Sequence, residues 1–295
     1  MTTSHPYQPA TPELLAWIAS ETARGCTRTA TYGAMLQAGW SPVSAAMALQ
    51  LTAQERVALG LSDDILTQPG GVPPAVPVPR PVLLPMADDW VVDGGDGAVA
   101  VLQRYDEPPV IVFSQLLSAD ECAALIDAAR PRLSASLTVD ITTGGEELHP
   151  DRTSQGMFFA RGENPVVARL EARIAALLGW PIENGEGLQV LRYPPGAQYR
   201  PHYDYFDPAQ PGTPAILARG GQRVATLIVY LQTPEGGGAT VFPDIGFRVA
   251  PVRGNAVFFS YGQAHPASRS LHGGEPVTHG EKWIATKWLR EREFR

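Results

Sequence analysis

Residues 188–206 read LQVLRYPPGAQYRPHYDYF, and this stretch decides both the fold and the candidate site of the chain. Its first four residues are mostly aliphatic and predict a strand, which ends before the Pro-Pro-Gly cluster at residues 194–196. Further along, His202 and Asp204 stand two positions apart. Residues i and i+2 of a strand point to the same face, so we expect this imidazole and this carboxylate to project together. Such a pair can bind a single divalent ion.

A third ligand for that ion has to come from elsewhere in the chain. A His-x-Asp pair with a distant His is the ligand pattern that holds non-haem Fe(II) and leaves coordination positions open. A His-x-Asp pair alone is weak, because a surface His beside a solvated Asp is the commoner origin of that pattern. The residues themselves leave the choice of distal ligand open among three histidines: His265, His272 and His279.

The composition limits the class of protein and its partners. The chain has 295 residues, enough for one large domain or for one domain plus a small one, and its 44% hydrophobic and 18% charged residues are typical of a globular protein. The formal net charge of -7 disfavours nucleic acid and anionic membranes. No apolar run of about 18 residues is present, and residues 1–10 lack a signal-peptide pattern. We therefore expect neither a nucleic-acid partner nor a membrane.

The cysteine content indicates a reducing compartment. Cys26 and Cys122 are the two cysteines, and they lie far apart in different predicted segments. A disulfide framework is not expected, so the predicted location is the cytoplasm. A structural zinc site built on cysteine pairs is excluded by number.

The sequence predicts three parts. Residues 11–66 carry helical patterns, with N-terminal proline signals at Pro12 and Pro42. Residues 69–85 hold seven prolines, which favour an extended polyproline II spacer. We accordingly predict a small helical domain of unknown role over residues 1–68, a Pro-rich linker over 69–89 and a functional domain over 90–295.

The third part reads as mainly β with flanking helices. A strand is predicted at residues 110–113, and helices begin at the capping box of residues 118–121 and at Asn164-Pro165. Short strands rich in β-branched and aromatic residues follow, separated by Gly and Pro; they are predicted at residues 188–191, 225–231, 240–242, 256–259 and 283–289. This pattern predicts a jelly-roll double sheet with the helices packed on one sheet. The Gly- and Pro-rich residues 207–221 are interpreted as a lid.

The run at 188–206 closely resembles the prolyl 4-hydroxylase branch of the Fe(II)/2-oxoglutarate dioxygenases. Other stretches share this resemblance in order along the chain: RTSQGM at 152–157, ENGEG at 183–187, QRVAT at 222–226, GGATVFP at 237–243, GEKW at 280–283 and KWL at 287–289. The resemblance covers roughly residues 108–292 and does not extend to residues 1–90.

The resemblance implies a double-stranded β-helix that binds iron through His202, Asp204 and His272. The ten-residue step from His272 to Lys282 matches the family spacing and selects this histidine as the distal ligand. By the same match, Lys282 would pair with the distal carboxylate of 2-oxoglutarate, since a buried carboxylate needs a hydrogen-bonded cation.

Further residues are implied to bind co-substrate or substrate. Tyr193 and Thr240 match positions whose hydroxyls contact the same carboxylate, and Trp288 matches an aromatic beside it. The positions that match substrate-binding residues of peptide-acting members are Arg152, Ser154, Glu186, Tyr199 and Arg223. Arg290 is a departure, because the family often has His there, and it puts the mode of substrate binding in question.

The implied activity is that of a hydroxylase that uses Fe(II), 2-oxoglutarate and O2, with ascorbate as reductant and release of succinate and CO2. The first reading of the substrate is proline in a peptide or protein. The second is a free amino acid such as proline or pipecolate, for which Arg152, Arg223 and Arg290 would be candidate carboxylate clamps. A non-enzymatic binding barrel and a halogenase are disfavoured by the intact ligands, Asp204 in particular. The N-terminal unit could bind a protein substrate, form a homodimer or brace the barrel.

Overall fold

The computed structural model describes residues 10, 12–61, 89–135, 137–139, 146–148, 153–208 and 210–295. These residues divide into two compact units, one made of the N-terminal helices with Pro243–Ile245 and the other of the remaining residues from Asp89 onward. The helices, in chain order, are α1 Pro12–Ala23, α2 Arg28–Gln37, α3 Pro42–Ala48, α4 Ala53–Ala58, α5 Ala119–Ala129, α6 Pro165–Leu178 and α7 Thr213–Ala218.

Two large antiparallel sheets and two short strand pairs are found in the larger unit. The strands are β1 Val91–Asp93, β2 Ala98–Tyr105, β3 Val110–Ser114, β4 Ser134–Ala135, β5 Leu137–Val139, β6 Glu146–Leu148, β7 Gln155–Phe159, β8 Leu188–Tyr193, β9 Tyr199–His202, β10 Arg223–Gln232, β11 Gly236–Gly237, β12 Thr240–Phe242, β13 Phe247–Val249, β14 Ala256–Ser260, β15 His272–Gly274, β16 Val277–His279 and β17 Lys282–Arg290. A nine-stranded sheet has the order β1-β2-β3-β14-β10-β17-β8-β7-β4, and a four-stranded sheet has the order β13-β12-β15-β9. Two further pairs are β11 with β16 and β5 with β6.

This architecture is the predicted mainly β jelly roll, the double-stranded β-helix, with flanking helices and a small N-terminal helical unit. No helix in the described part of the chain is long and apolar enough to cross a membrane.

Side-chain alternation separates two faces of the nine-stranded sheet. On β10, Leu227 and Val229 belong to the main buried apolar cluster, which also contains residues of α5 and α6. Ile228, between them, lines a cavity on the opposite face. On β17, Trp283 is in the apolar cluster whereas Lys282 lines the cavity. Each large apolar side chain that is buried stabilises the fold by roughly 1.5–3 kcal/mol. The face of the sheet that packs on the helices therefore supplies the stability, and the opposite face can carry polar groups.

The two longest helices of the larger unit, α5 and α6, begin where their capping residues predict. Ser118 Oγ accepts from Glu121 N at 3.2 Å and Glu121 Oε2 accepts from Ser118 N at 2.9 Å, which is the expected capping box of α5. Asn164 Oδ1 accepts from two backbone N–H groups of the first turn of α6. That helix ends at Gly179, whose φ of 57° is the left-handed conformation that glycine tolerates.

The helical unit has a small core of its own. Leu14, Tyr32, Met35 and Leu49 are buried together. Ser41 caps the start of α3, where Pro42 predicts it, since its side chain accepts from Ser44 N at 3.1 Å. The sequence analysis did not predict α4, although Thr52 and Glu55 form a capping box at the start of this helix.

Other elements differ from the prediction. The interval 207–221 is not a plain loop, because it contains α7. Strands β1 and β2 were not predicted. They lie at one edge of the nine-stranded sheet, and many of their side chains are exposed, so they carry little hydrophobic signal. Of the predicted linker 69–89 only Asp89 is among the described residues, so the linker and its boundaries remain predictions.

Candidate metal centre

Two histidines and one aspartate converge between the sheets. His272 on β15 is the direct pairing partner of His202 on β9, and the two ring centroids are 4.4 Å apart. Asp204 places Oδ1 3.5 Å from His202 Nε2 and Oδ2 3.4 Å from His272 Nε2. One possible ligand atom from each residue lies within 4.8 Å of the others, and the described residues contain no other such group of His, Cys, Asp or Glu. Neither His265 nor His279 belongs to it.

The hydrogen bonds of the two imidazoles aim their free nitrogens at the cluster. His202 Nδ1 lies 2.9 Å from Arg200 O, and His272 Nδ1 lies 3.0 Å from Ser270 O. A backbone carbonyl only accepts, so each Nδ1 carries a proton, and Nε2 is the nitrogen left to offer a lone pair to a metal. A hydrogen-bonded outer nitrogen that fixes the tautomer is a general feature of metal-binding histidines.

The charges also suit a cation. Burial lowers the pKa of His272 to about 4, against the opposing effect of the Asp204 charge, so this imidazole is neutral at neutral pH. For Asp204, burial alone would raise the pKa, but the charge of His272 in its protonated form, the hydrogen bond from His202 and the Arg223 guanidinium outweigh it and lower the pKa. Two imidazole nitrogens and one ionised carboxylate are the donor set that suits Fe(II) with open positions. The residues present therefore fit the implied metal.

Asp204 is not oriented in the way the sequence predicts. β9 ends at His202, and Asp204 lies in a bend beyond it, so strand alternation does not aim its side chain. Two residues of β10 hold it instead. Thr226 Oγ1 donates to Asp204 Oδ2 at 2.6 Å, and Arg223 Nη1 donates to the Asp204 backbone oxygen at 3.4 Å.

Gly273 allows the two ligand-bearing strands to approach. A Cβ at this position would lie 2.9 Å from Tyr199 O and 3.0 Å from Pro201 N, both of which are backbone atoms. The pairing of β15 with β9 also shifts register between His272 and Gly274. A side chain at Gly273 would push the strands apart and separate the two histidines.

A buried lysine lies in the same cavity. Lys282 lines it together with the three cluster residues. Its Nζ donates to Gly238 O at 2.7 Å and lies 5.0 Å from the ring centroid of Tyr193, its pairing partner on β8. Burial lowers the pKa of Lys282 to about 8, with Glu275 opposing. The cavity thus contains a poorly solvated ammonium group that a ligand carboxylate would stabilise.

Of the other residues predicted to bind the co-substrate, Trp288 lines the cavity and Thr240 does not. Trp288 lines the cavity, as Tyr193 does. Thr240 is buried, but its Oγ1 accepts from Tyr230 OH at 2.8 Å, and it is not among the described residues that line the cavity. Its contact with 2-oxoglutarate remains a prediction.

The predicted substrate residues Glu186 and Arg223 bind each other. Arg223 Nε and Nη2 donate to the two carboxylate oxygens of Glu186 at 2.7 and 2.9 Å. Arg290 adds a second cation, with Nε 3.0 Å from Glu186 Oε1, and its Nη1 donates to Gly221 O at 2.7 Å. The Arg223 guanidinium lies 4.0 Å from the ring centroid of Trp288. These residues therefore brace the cavity wall and the end of the 207–221 segment.

The remaining predicted substrate residues are dispersed. Tyr199 lines the cavity, and its ring stacks on His202 with centroids 3.7 Å apart. Ser154 is buried just before β7. Arg152 lies outside the described residues.

Replacing Glu186 by glutamine is expected to lower the free energy of unfolding by about 3 kcal/mol, because two buried guanidinium groups lose their counter-charge. Chemical denaturation of the metal-free protein measures this change. Glu293→Gln removes a carboxylate from the exposed pair with Arg295 and is expected to have no measurable effect. An equal effect of both variants would contradict a bracing role for Glu186.

The sequence reading missed some residues of the centre. Thr226 and Tyr230 stand on β10 with Ile228 between them, on the face opposite Leu227 and Val229. A threonine and a tyrosine alternating with aliphatic residues along a long apolar strand are a signal that could have identified them.

The chain is similar to known oxygenases of one superfamily. The model of the 2OG-Fe(II) oxygenase superfamily matches residues 188–290. Prolyl 4-hydroxylase 1 of Arabidopsis thaliana is 43% identical over 204 residues, covering 63% of this chain and 70% of the relative. Prolyl 4-hydroxylase 5 of the same plant is 40% identical over 212 residues, covering 64% and 70%. A viral collagen prolyl hydroxylase from Paramecium Bursaria Chlorella virus-1, solved with 2OG, is 33% identical with a TM-score of 0.48, covering 61% of this chain and 95% of its own.

Proposed function

The chain belongs to the prolyl 4-hydroxylase-like 2OG-Fe(II) oxygenases, and from this membership we propose that it hydroxylates proline in a peptide or protein. It is a 2-oxoglutarate-dependent dioxygenase, so succinate and CO2 are the products formed from the co-substrate. The observation that carries the proposal is that one cavity contains both the His-Asp-His cluster and the Lys282 ammonium group.

Each group in the cavity has a separate task. Bound Fe(II), with 2-oxoglutarate and O2, supplies the oxidation of an unactivated C–H bond, for which side chains alone have no chemistry. His202, Asp204 and His272 would hold the metal through three single atoms. Lys282 would bind the distal carboxylate of 2-oxoglutarate, and the Tyr193 ring lies beside the Lys282 ammonium group.

The cavity walls contribute by excluding water. The cavity is lined in part by the apolar side chains of Leu191, Ile228 and Ile284. A low-dielectric wall strengthens the attraction between a lysine and a carboxylate. It also protects a reactive site from side reactions with solvent.

The state of the arginines favours a peptide over a free amino acid. A free amino acid carries a carboxylate that would need a paired cation in the cavity. Arg223 and Arg290, two of the three candidate clamps, already share Glu186. A peptide bond on either side of the target proline removes the need for such a clamp.

The test is product analysis by mass spectrometry. The protein is incubated with Fe(II), 2-oxoglutarate and ascorbate, and with either proline-rich peptides, free proline or pipecolate. We expect a gain of one oxygen atom on peptide proline, and none on matched peptides in which alanine replaces proline. Product formed only from a free amino acid would overturn the peptide assignment and select the alternative, a hydroxylase of small-molecule biosynthesis.

Three properties complete the proposal. Ascorbate is proposed as the reductant that maintains Fe(II). A cytoplasmic location is proposed because the two cysteines are both unpaired thiols. The N-terminal helical unit is proposed to take part either in docking of a protein substrate or in a homodimer.

A further inference from the structure

The hydroxyl group of Thr226 holds the side chain of Asp204. Thr226 is completely buried and Asp204 is 6% exposed. Their hydrogen bond, from Thr226 Oγ1 to Asp204 Oδ2, is 2.6 Å long. A hydrogen bond to an ionised acceptor is short and roughly twice as strong as a neutral one.

This contact supplies what strand pairing does not. The backbone pairing of β9 with β15 includes His202 but ends before Asp204. The torsion that rotates a carboxylate is broad and roughly two-fold, so it has no strong preference of its own. Arg223 contacts the backbone oxygen of Asp204 and leaves the carboxylate free to rotate. The Thr226 hydroxyl acts on the carboxylate itself.

The direction of a second hydrogen bond follows from proton counting. The Thr226 hydroxyl has one proton, which it donates to Asp204. Its contact with Tyr261 OH at 3.1 Å must therefore have Tyr261 as the donor. Tyr261 is 1% exposed, and burial, together with the charge of Asp204, raises its pKa, so the phenol keeps its proton. The bonds run in one direction, from Tyr261 to Thr226 to Asp204.

We infer that Thr226, oriented by Tyr261, is a positioning residue that sets the rotation of the Asp204 carboxylate toward the two histidine Nε2 atoms. Metal binding then requires no reorientation of the carboxylate. The inference rests on the metal centre of the proposed function and not on the identity of its substrate.

The experiment measures metal affinity without co-substrate or substrate. Mn(II) binding to the full-length protein is determined by competition with a chromophoric chelator. Thr226→Val keeps the shape of the side chain and removes the hydroxyl, and we expect its Mn(II) dissociation constant to rise about tenfold or more. Thr226→Ser restores the donor and is expected to bind close to the wild-type affinity. Tyr261→Phe leaves the Thr226 hydroxyl without its orienting donor, and we expect its Mn(II) dissociation constant to lie between those of Thr226→Ser and Thr226→Val.

A matched control separates positioning from general loss of a buried hydroxyl. Thr31 is 5% exposed in the helical unit and bonds to Thr27 O, so Thr31→Val should leave Mn(II) affinity unchanged. If Thr226→Val does not fold, Thr226→Ala gives the same comparison. Wild-type affinity in the hydroxyl-free variant, or failure of Thr226→Ser to restore it, would overturn the inference. Failure of the peptide assignment would leave all these values unaffected.

Discussion

Replacing His272 with alanine is expected to abolish stable metal binding and to reduce 2-oxoglutarate turnover by at least about a thousandfold. The variant removes one of the three ligand atoms that lie within 4.8 Å of one another. The remaining pair, His202 and Asp204, would hold a divalent ion too weakly to retain it through buffer exchange. Elemental analysis after metal loading and succinate release with the best substrate measure the two effects.

His279→Ala is the matched control, because this histidine was a rival for the distal ligand from the sequence alone. It is exposed, and its ring Nδ1 lies 3.2 Å from Thr278 Oγ1. We expect the control to keep both metal content and turnover. Metal retention by the His272 variant, or its loss from the His279 variant, would require a different ligand set.

Replacing Lys282 with methionine is expected to weaken 2-oxoglutarate binding by roughly a hundredfold or more, which corresponds to about 3 kcal/mol. Methionine keeps the apolar stem and removes the charge, so a co-substrate carboxylate would be buried without a partner. The metal-free variant should unfold at the same denaturant concentration as wild type or a higher one, because the buried ammonium is itself costly without a carboxylate. Calorimetric titration with 2-oxoglutarate in the Mn(II)-loaded protein measures the affinity.

The same interaction predicts a pH dependence. Lys282 must be protonated to bind a carboxylate, and burial lowers its pKa to about 8. Affinity for 2-oxoglutarate should therefore be full below this pH and fall as pH rises through it. Lys282→Arg, whose guanidinium stays charged, should bind with a flatter profile over the same range. A wild-type profile as flat as that of the arginine variant would argue against Lys282 as the anchor.

The local signals of the sequence were sufficient for much of the fold. The capping box at Ser118, the Asn164-Pro165 start of α6 and the runs that became β10 and β17 were all read from neighbouring residues. Helix caps and strand periodicity are determined within a few residues, so they need no knowledge of the rest of the chain. Among the elements that escaped were β1, β2, β7, β13, α4 and α7, most of which are short and carry weak periodicity.

The candidate site likewise has features that the sequence predicts and features that only the structure shows. The types and order of the ligands and the lysine could be recognised in the chain, and the structure brings His202, Asp204, His272 and Lys282 into one cavity. The interpretation of Glu186 and Arg223 as substrate contacts did not anticipate their mutual ion pair. Thr240 was assigned by position, yet its hydroxyl is bonded to Tyr230.

The sequence by itself determined that the chain has side chains able to bind a metal and a dicarboxylate, and its resemblance to a known family selected His272 among three histidines. Only the tertiary structure decided how they are held. Asp204 lies past the end of its strand and is oriented by Thr226, which is distant in the chain. Hydrogen bonds of this kind depend on how β9, β10 and β15 come together, and no local pattern encodes that meeting. The chemistry of the site thus depends on the types of its side chains, and its geometry depends on contacts between strands.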